Sequence, residues 1–359
     1  MRNSIKGRGA SFNPPNRFER LHVEPFEVHD PSGRKTRREE WEDDRTVETE
    51  FLIDTSRSIL AKNDSPDLHF TYSINPYRGC EHGCIYCYAR PSHEYLGFSA
   101  GIDFESKILV KPQAPELLEE TFKKNSWQPQ VVAFSGNTDP YQPIEWKLQL
   151  TRRCLEVFLK YRNPVEIVTK NFLVTRDIDI LQGLASLNLV HVLISITSLD
   201  PELIRVMEPR TAIPARRLEA LNLLASKGIP VGVNAAPIIP GLNDEELPSI
   251  LKETAGRGAA SAAYTLVRLP GAVKPLFLDW LHRELPERES KVINRLREVR
   301  SGKLSDSRFG SRMRGEGKVA ETIEDLFRLA CKKYHLNERT IPLATEHFLR
   351  TPEQQLEIF

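Results

Sequence analysis

S-I-N-P-Y-R-G-C-E-H-G-C-I-Y-C-Y-A-R, residues 73–90, decides how this chain is read. It holds three of the five cysteines, Cys80, Cys84 and Cys87, in the spacing C-x3-C-x2-C, with Tyr86 directly before the last. Three thiolates this close can converge on one soft metal centre, but they cannot fill four tetrahedral positions by themselves. In a [4Fe–4S] cube that shortage is useful, because three irons take cysteine and the fourth stays open to another ligand. A structural zinc with His82 or His93 as fourth ligand is the competing reading. Disulfides would call for a secretory leader, and the basic opening M-R-N-S-I-K-G-R-G-A lacks an apolar core for one.

The 359 residues suit a large α/β unit with appendages rather than one small domain. Hydrophobic residues make up 40% and charged residues 28%, as in an ordinary soluble enzyme. No apolar run approaches membrane-spanning length, so no membrane partner is expected. Unpaired thiols and an oxygen-sensitive cluster fit the reducing cytoplasm. A formal net charge of +1 is silent on nucleic acid, so any such binding rests on local patches.

Outward from the cysteines, apolar β-branched runs alternate with helical patterns. Strands are expected at Phe70–Ile74, from Val131, from Val165, from Val190, from Ile229 and from Ala262. Such runs suit strands buried on both faces of a parallel sheet. Between them, Ile144–Tyr161, Arg176–Leu187 and Pro214–Lys227 carry helical periodicity, the last followed by Gly228 as a C-cap. Six βα units imply a parallel sheet or barrel with right-handed crossovers. Residues 1–65 read as a partly disordered arm with Phe12, Phe18, Leu21 and Phe26 as apolar anchors. The core then runs over 66–285, a basic helical extension over 286–345 and a tail over 346–359.

A second phrase, S-G-N-T-D-P-Y-Q-P-I-E from Ser135 to Glu145, follows the second strand of the series. Gly136 permits close backbone approach, and Asn137, Thr138 and Asp139 offer hydrogen bonds there. A turn leading into a helix N-cap is an equally adequate account of these residue types. Together with the cysteine stretch, the phrase resembles the radical S-adenosylmethionine (SAM) enzymes, in the subgroup related to spore photoproduct lyase. T-K-N at Thr169–Asn171, the run Met207–Leu218 and A-P-I-I-P-G-L-N-D at Ala236–Asp244 add to the likeness. It extends over roughly Gly7 to Tyr334, the cysteine motif being its most specific part.

The resemblance implies a partial (β/α)6 barrel of the radical SAM type with its cluster at the carboxyl ends of the strands. It implies a [4Fe–4S] cluster on Cys80, Cys84 and Cys87, and S-adenosyl-L-methionine as second cofactor. By the same likeness Tyr86 lies beside the adenine, and Gly136, Asn137, Thr138 and Asp139 meet the amino group. Lys170 approaches the carboxylate, Ser195 and Thr197 the carboxylate or ribose, and Asn234 and Ala235 the adenine edge. The expected activity is reductive SAM cleavage serving a lyase-like repair of a DNA lesion, with a flavodoxin or ferredoxin as electron donor. A radical enzyme acting on a peptide or metabolite, and a zinc-stabilised binding module, are the alternatives. One departure matters: the lyases carry a hydrogen-donor cysteine near the position of Gly136, and this chain has none there. Tyr88, Tyr95 and Tyr141 are the candidate relays in its place.

Between Arg288 and Lys318 ten Lys/Arg face four acidic residues, the most basic segment of the chain. Its Gly/Arg mixture suits phosphates, and a solvated helix face followed by a loop suits the pattern as well. Cys154 and Cys331 fall on apolar helix faces and read as packing residues. Glu208 and Arg210 read as an internal ion pair. The terminal Q-L-E-I-F resembles peptides that dock on the bacterial DNA sliding clamp, through Gln355, Leu356, Ile358 and Phe359.

Overall fold

The structure, a computed structural model, describes residues 5–18, 47–339 and 342–352. Among the described residues there are ten strands: β1 (Glu50–Ile53), β2 (Leu60–Lys62), β3 (Tyr72–Ile74), β4 (Tyr77–Arg78), β5 (Lys107–Val110), β6 (Val132–Phe134), β7 (Val165–Thr169), β8 (Val190–Ser195), β9 (Val231–Ile238) and β10 (Ser261–Leu266). All six expected strands appear. They run parallel in chain order, β3-β6-β7-β8-β9-β10, with β2 antiparallel on the outer side of β3. The sheet therefore has two edges, β2 and β10, as an open partial (β/α)6 barrel does.

The apolar runs are strands because alternate residues are buried, on both faces in β6 and most of β9 and on one face in β7 and most of β8. Phe134, Val165, Ile167, Val190, Val192 and Val233 are sealed between the sheet and its outer helices. Each such side chain contributes roughly 1.5–3 kcal/mol by leaving water. The helices match the expected periodicity, with one difference. Ile144–Tyr161 is broken into Glu145–Leu148 and Leu150–Tyr161, with Gln149 left-handed at φ 53°. The Glu145 carboxylate explains the break: it turns back to accept from the amides of Thr151 and Arg152, capping the second helix.

Parts of the amino-terminal region enter the body. β1 pairs with β5 in a small second sheet, and β2 borders the main one. Arg8, Ala10 and Asn16 are buried, whereas Phe18 is exposed; Leu21 and Phe26 lie outside the described residues. At the other end, residues 342–352 cross the outer helices, with the Leu349 amide donating to the Tyr161 carbonyl and Phe348 edge-on to Phe122. The peptide Gln355–Phe359 lies outside the described residues. Cys154 and Cys331 are buried in the core, as their helix positions require. Among the described residues no helix is long and apolar enough to cross a membrane.

Candidate active site

The loop carrying Cys80, Cys84 and Cys87 leaves the carboxyl end of β3 and β4. Its curvature depends on Gly79 and Gly83, both at positive φ (78° and 67°). A Cβ on Gly83 would stand 2.9 Å from Glu105 Oε2, so the loop rests directly on that carboxylate.

Three carboxylates, Glu105 and Glu208 buried and Asp139 partly so, fasten this loop, each from a different side. Beneath it, Glu105 binds Arg90 and accepts from the backbone amides of Gly9 (3.0 Å) and Ala10 (2.9 Å). Arg90 spends its remaining donors on the carbonyls of Gly83, Cys84, Ala100 and Gly101. A fully buried guanidinium is tolerable only when satisfied in this way. The amino-terminal segment thus forms part of the floor of the cysteine loop.

On the second side, Asp139 joins three loops. Its oxygens accept from the Thr169 hydroxyl (2.7 Å), the Lys170 amide (2.7 Å) and the Tyr141 amide (2.8 Å). His82 Nδ1 approaches it at 3.5 Å, and His82 Nε2 faces the Asn171 amide at 3.3 Å. Burial works to lower the pKa of His82, but Asp139 and then Cys80 outweigh it and hold the ring up at about 10. Asn75 completes this side, its Oδ1 accepting from the amides of Asn137 and Thr138 and from the Thr138 hydroxyl.

On the third side stands Glu208, fully buried against Arg217. The hydroxyls of Thr197 (2.7 Å) and Tyr86 donate to the same carboxylate. Burial opposes its charge, yet Arg217 and Lys170 hold its pKa down at about 2. The expected Glu208–Arg210 pair is not formed. Arg210 turns instead to Glu81 at 3.1 Å, and Glu208 is taken by Arg217. Arg217 reaches Glu208 from the following helix, Pro214–Ser226, which also brings Arg217 onto the Ser195 carbonyl.

Burial pushes the thiols of Cys84 and Cys87 up; Glu208 adds to this at Cys84, while Arg90 opposes it at Cys87. Cys80 adds to the rise at both Cys84 and Cys87, and Cys87 adds to it at Cys84. A cationic iron–sulfur core is what would draw off their protons. Among the described residues no three His, Cys, Asp or Glu side chains gather as ligands of a single ion. Three thiols that each bind a different iron of a cube need no such convergence. His93, by contrast, lies under the loop against Phe98 and Phe104, its Nε2 bonded to the Lys107 carbonyl at 2.9 Å. The donor set and its surroundings fit an iron–sulfur cluster.

A sequence profile of the radical SAM superfamily matches residues 74–254, from the end of β3 through the helix after β9. The chain belongs to the radical SAM superfamily. An uncharacterized protein of Mycobacterium tuberculosis is 36% identical over 234 residues, covering 65% of this chain and 68% of the relative. An uncharacterized protein of Methanocaldococcus jannaschii is 33% identical over 175 residues, 49% of this chain and 63% of the relative. Among solved structures, spore photoproduct lyase complexed with dinucleoside spore photoproduct superposes with a TM-score of 0.54 at 17% identity, over 79% of each chain. At that identity the likeness is one of fold. Membership of the radical SAM superfamily implies SAM and an iron–sulfur cluster as cofactors.

The remaining expected residues lie on the loop after β6, just beyond β7, at the end of β8 and within β9. Lys170 directs its Nζ over the Tyr86 ring, 5.9 Å from the centroid. Gly136, at φ 107°, accepts from the Tyr88 hydroxyl at 2.7 Å, and Asn137 is exposed beside it. Ser195 pairs in register with Asn234, next to buried Ala235. Tyr86, Thr138, Asp139 and Thr197 spend polar groups on the protein itself and brace the site. Of the candidate relays, only Tyr88 adjoins the cysteines: Tyr95 is exposed against Phe18, and Tyr141 is buried on Asp177. Arg90 stood inside the opening stretch without announcing its role. Glu105 carried no local signal at all.

Proposed function

We propose that the chain is a radical SAM enzyme in which Cys80, Cys84 and Cys87 hold a [4Fe–4S] cluster and whose substrate is a lesion in DNA. The observation that carries the first half is the set of three thiols on one loop, walled by Lys170 and Tyr86. Cys80, Cys84 and Cys87 would hold the cluster, which would supply an electron for reductive cleavage of SAM to methionine and a 5′-deoxyadenosyl radical able to take hydrogen from the substrate.

The chain's own residues bind and orient. Lys170 offers an ammonium to the carboxylate of SAM, and its charge also favours ionised Cys84. Gly136 and Asn137, at the tip of the β6 loop, offer backbone and amide groups to the amino function. Ser195, at the end of β8, and Asn234 and Ala235, within β9, are the residues assigned to ribose and adenine, Ala235 through its backbone. Asp139, Thr138, Thr197 and the Tyr86 hydroxyl keep these loops in place, so that orientation costs little when the cofactor arrives. Cys80 is buried, while Cys84 and Cys87 stay partly open on the side from which the cofactors would enter.

The DNA part is supported by the fold shared with spore photoproduct lyase and by the arginines near β10. Without a cysteine near Gly136, hydrogen return follows another route than a thiol at that place. Anaerobic reconstitution with iron and sulfide tests the chemistry. The wild type should retain about four irons and release methionine and 5′-deoxyadenosine under dithionite; each of Cys80→Ala, Cys84→Ala and Cys87→Ala should lose both properties. Full iron retention by any of these variants would refute the assignment. Lesion analysis of irradiated DNA tests the substrate: unchanged lesion content after turnover would remove DNA repair from the reading.

A further inference from the structure

The edge of the sheet at β10 carries arginines that the chemistry above does not use. Arg268 lies two residues beyond β10 and stands 5.8 Å from the centroid of Tyr88, the residue after Cys87. It is half-buried, yet it pairs with no carboxylate among the described residues. Its Nε has no partner, and its Nη1 finds only the Met313 sulfur at 3.9 Å.

The neighbours of Arg268 are built to stay. Arg300 is buried and donates to the carbonyls of Val267 and Ser311, both at 2.9 Å, so it ties the end of β10 to the loop around Met313. That loop crosses to the opposite edge of the sheet, where the Gly310 amide donates to Asp67 at 2.7 Å and Arg312 pairs with the same carboxylate. Phe309, 60% exposed, has the Arg312 guanidinium 4.3 Å from its ring centroid. Tyr88 is 52% exposed on the other flank. The basic helix Pro286–Glu298 differs, because Lys291 and Arg295 there pair with Glu245 and Glu298.

A half-buried guanidinium beside a second one, with an open Nε and only the Asp67 carboxylate, already paired with Arg312, to balance it from further off, is unfavourable unless an anion comes to it. Burial and then the Arg312 charge press the Arg268 pKa down by more than Tyr88 and Asp67 hold it up, which is the same cost seen from the proton. Guanidinium forks match phosphate oxygens, and exposed aromatic rings beside them give unpaired bases a face to stack on.

We propose that Arg268, flanked by Tyr88 and Phe309, is the subsite that takes a backbone phosphate of a single-stranded or locally opened nucleic-acid substrate next to the cysteine loop. This rests on the nucleic-acid reading given above. The probe is a fluorescent single-stranded oligothymidylate, titrated by anisotropy against the reconstituted protein across a salt series. Arg268→Gln should bind it roughly tenfold more weakly, and the log–log salt slope should fall by about 0.7, the share of one phosphate contact. An oligonucleotide of the same sequence with neutral methylphosphonate linkages should bind wild type and variant alike. Exposed Arg328→Gln should match the wild type. Equal binding by wild type and Arg268→Gln overturns the subsite and leaves the nucleic-acid reading standing. No binding by the wild type overturns both. Inorganic phosphate that binds wild type but not Arg268→Gln, without any oligonucleotide binding, assigns the site to a small anion and overturns the proposal. Melting and iron content verify the fold. Should Arg268→Gln melt early, Arg268→Lys carries the test: it keeps the charge but loses the fork, and undiminished affinity in it overturns the proposal.

Discussion

Arg217 and Glu208 face one another with both side chains fully sealed from water, and this pair decides where Tyr86 sits. The carboxylate is oriented by Arg217 and accepts from the hydroxyls of Tyr86 and Thr197. One ion pair thereby sets the height of the cysteine loop over the end of β8.

Removing the cation should therefore cost more than one hydrogen bond. Arg217→Met leaves Glu208 buried without its partner, and a loss of about 3–5 kcal/mol is expected. Denaturant melts of Arg217→Met and of the double variant Arg217→Met, Glu208→Gln provide the measurement. The double variant should recover part of the loss. A single variant as stable as the wild type would show that the pair holds nothing.

Gly9 passes so close to the cysteine loop that a Cβ there would lie 2.0 Å from the Gly83 carbonyl oxygen. Neither partner is the end of a flexible side chain, so Gly9→Ala must lift the amino-terminal segment away. The expected result is destabilisation on the order of 2 kcal/mol and faster hydrogen exchange in the cysteine-loop peptides. Unchanged exchange in those peptides would mean that the segment merely lies alongside.

His93 gives the protein an acid-labile point. Burial drives its pKa down to about 4, the neutral ring donates from Nε2 to the Lys107 carbonyl, and Nδ1 has no partner. The folded value lies below the unfolded value of 6.5, so the unfolded chain takes up this proton first as pH falls. Stability from neutral His93 is thus present above 6.5 and is lost between 6.5 and about 4, by up to about 3 kcal/mol. His93→Gln keeps a donor without the titration. Melting from pH 7.5 to 4.5 should show a shallower decline in the variant; parallel curves would count against this account.

The peptide Gln355–Phe359 is proposed to dock on a bacterial sliding clamp, Leu356, Ile358 and Phe359 filling apolar pockets. In a pull-down, Leu356→Ala with Phe359→Ala should lower clamp recovery at least tenfold. Equal recovery from intact and altered protein would end that reading.

The six parallel strands were legible in the chain because burial of alternate positions, and of nearly every position in β6 and β9, leaves short apolar β-branched runs, a signal that needs no tertiary information. The three cysteines were legible because all lie on one loop, where sequence distance and spatial distance agree. Tertiary structure alone decided what holds that loop. Glu105 and Gly9 are 96 positions apart, and Asp139 and Glu208 reach the loop from other strands. Local spacing even misled at Glu208, joining it to Arg210 when a helix seven residues further on delivers Arg217. Periodicity records whether a residue is buried, whereas the partner of a buried charge depends on which strand ends the sheet brings together.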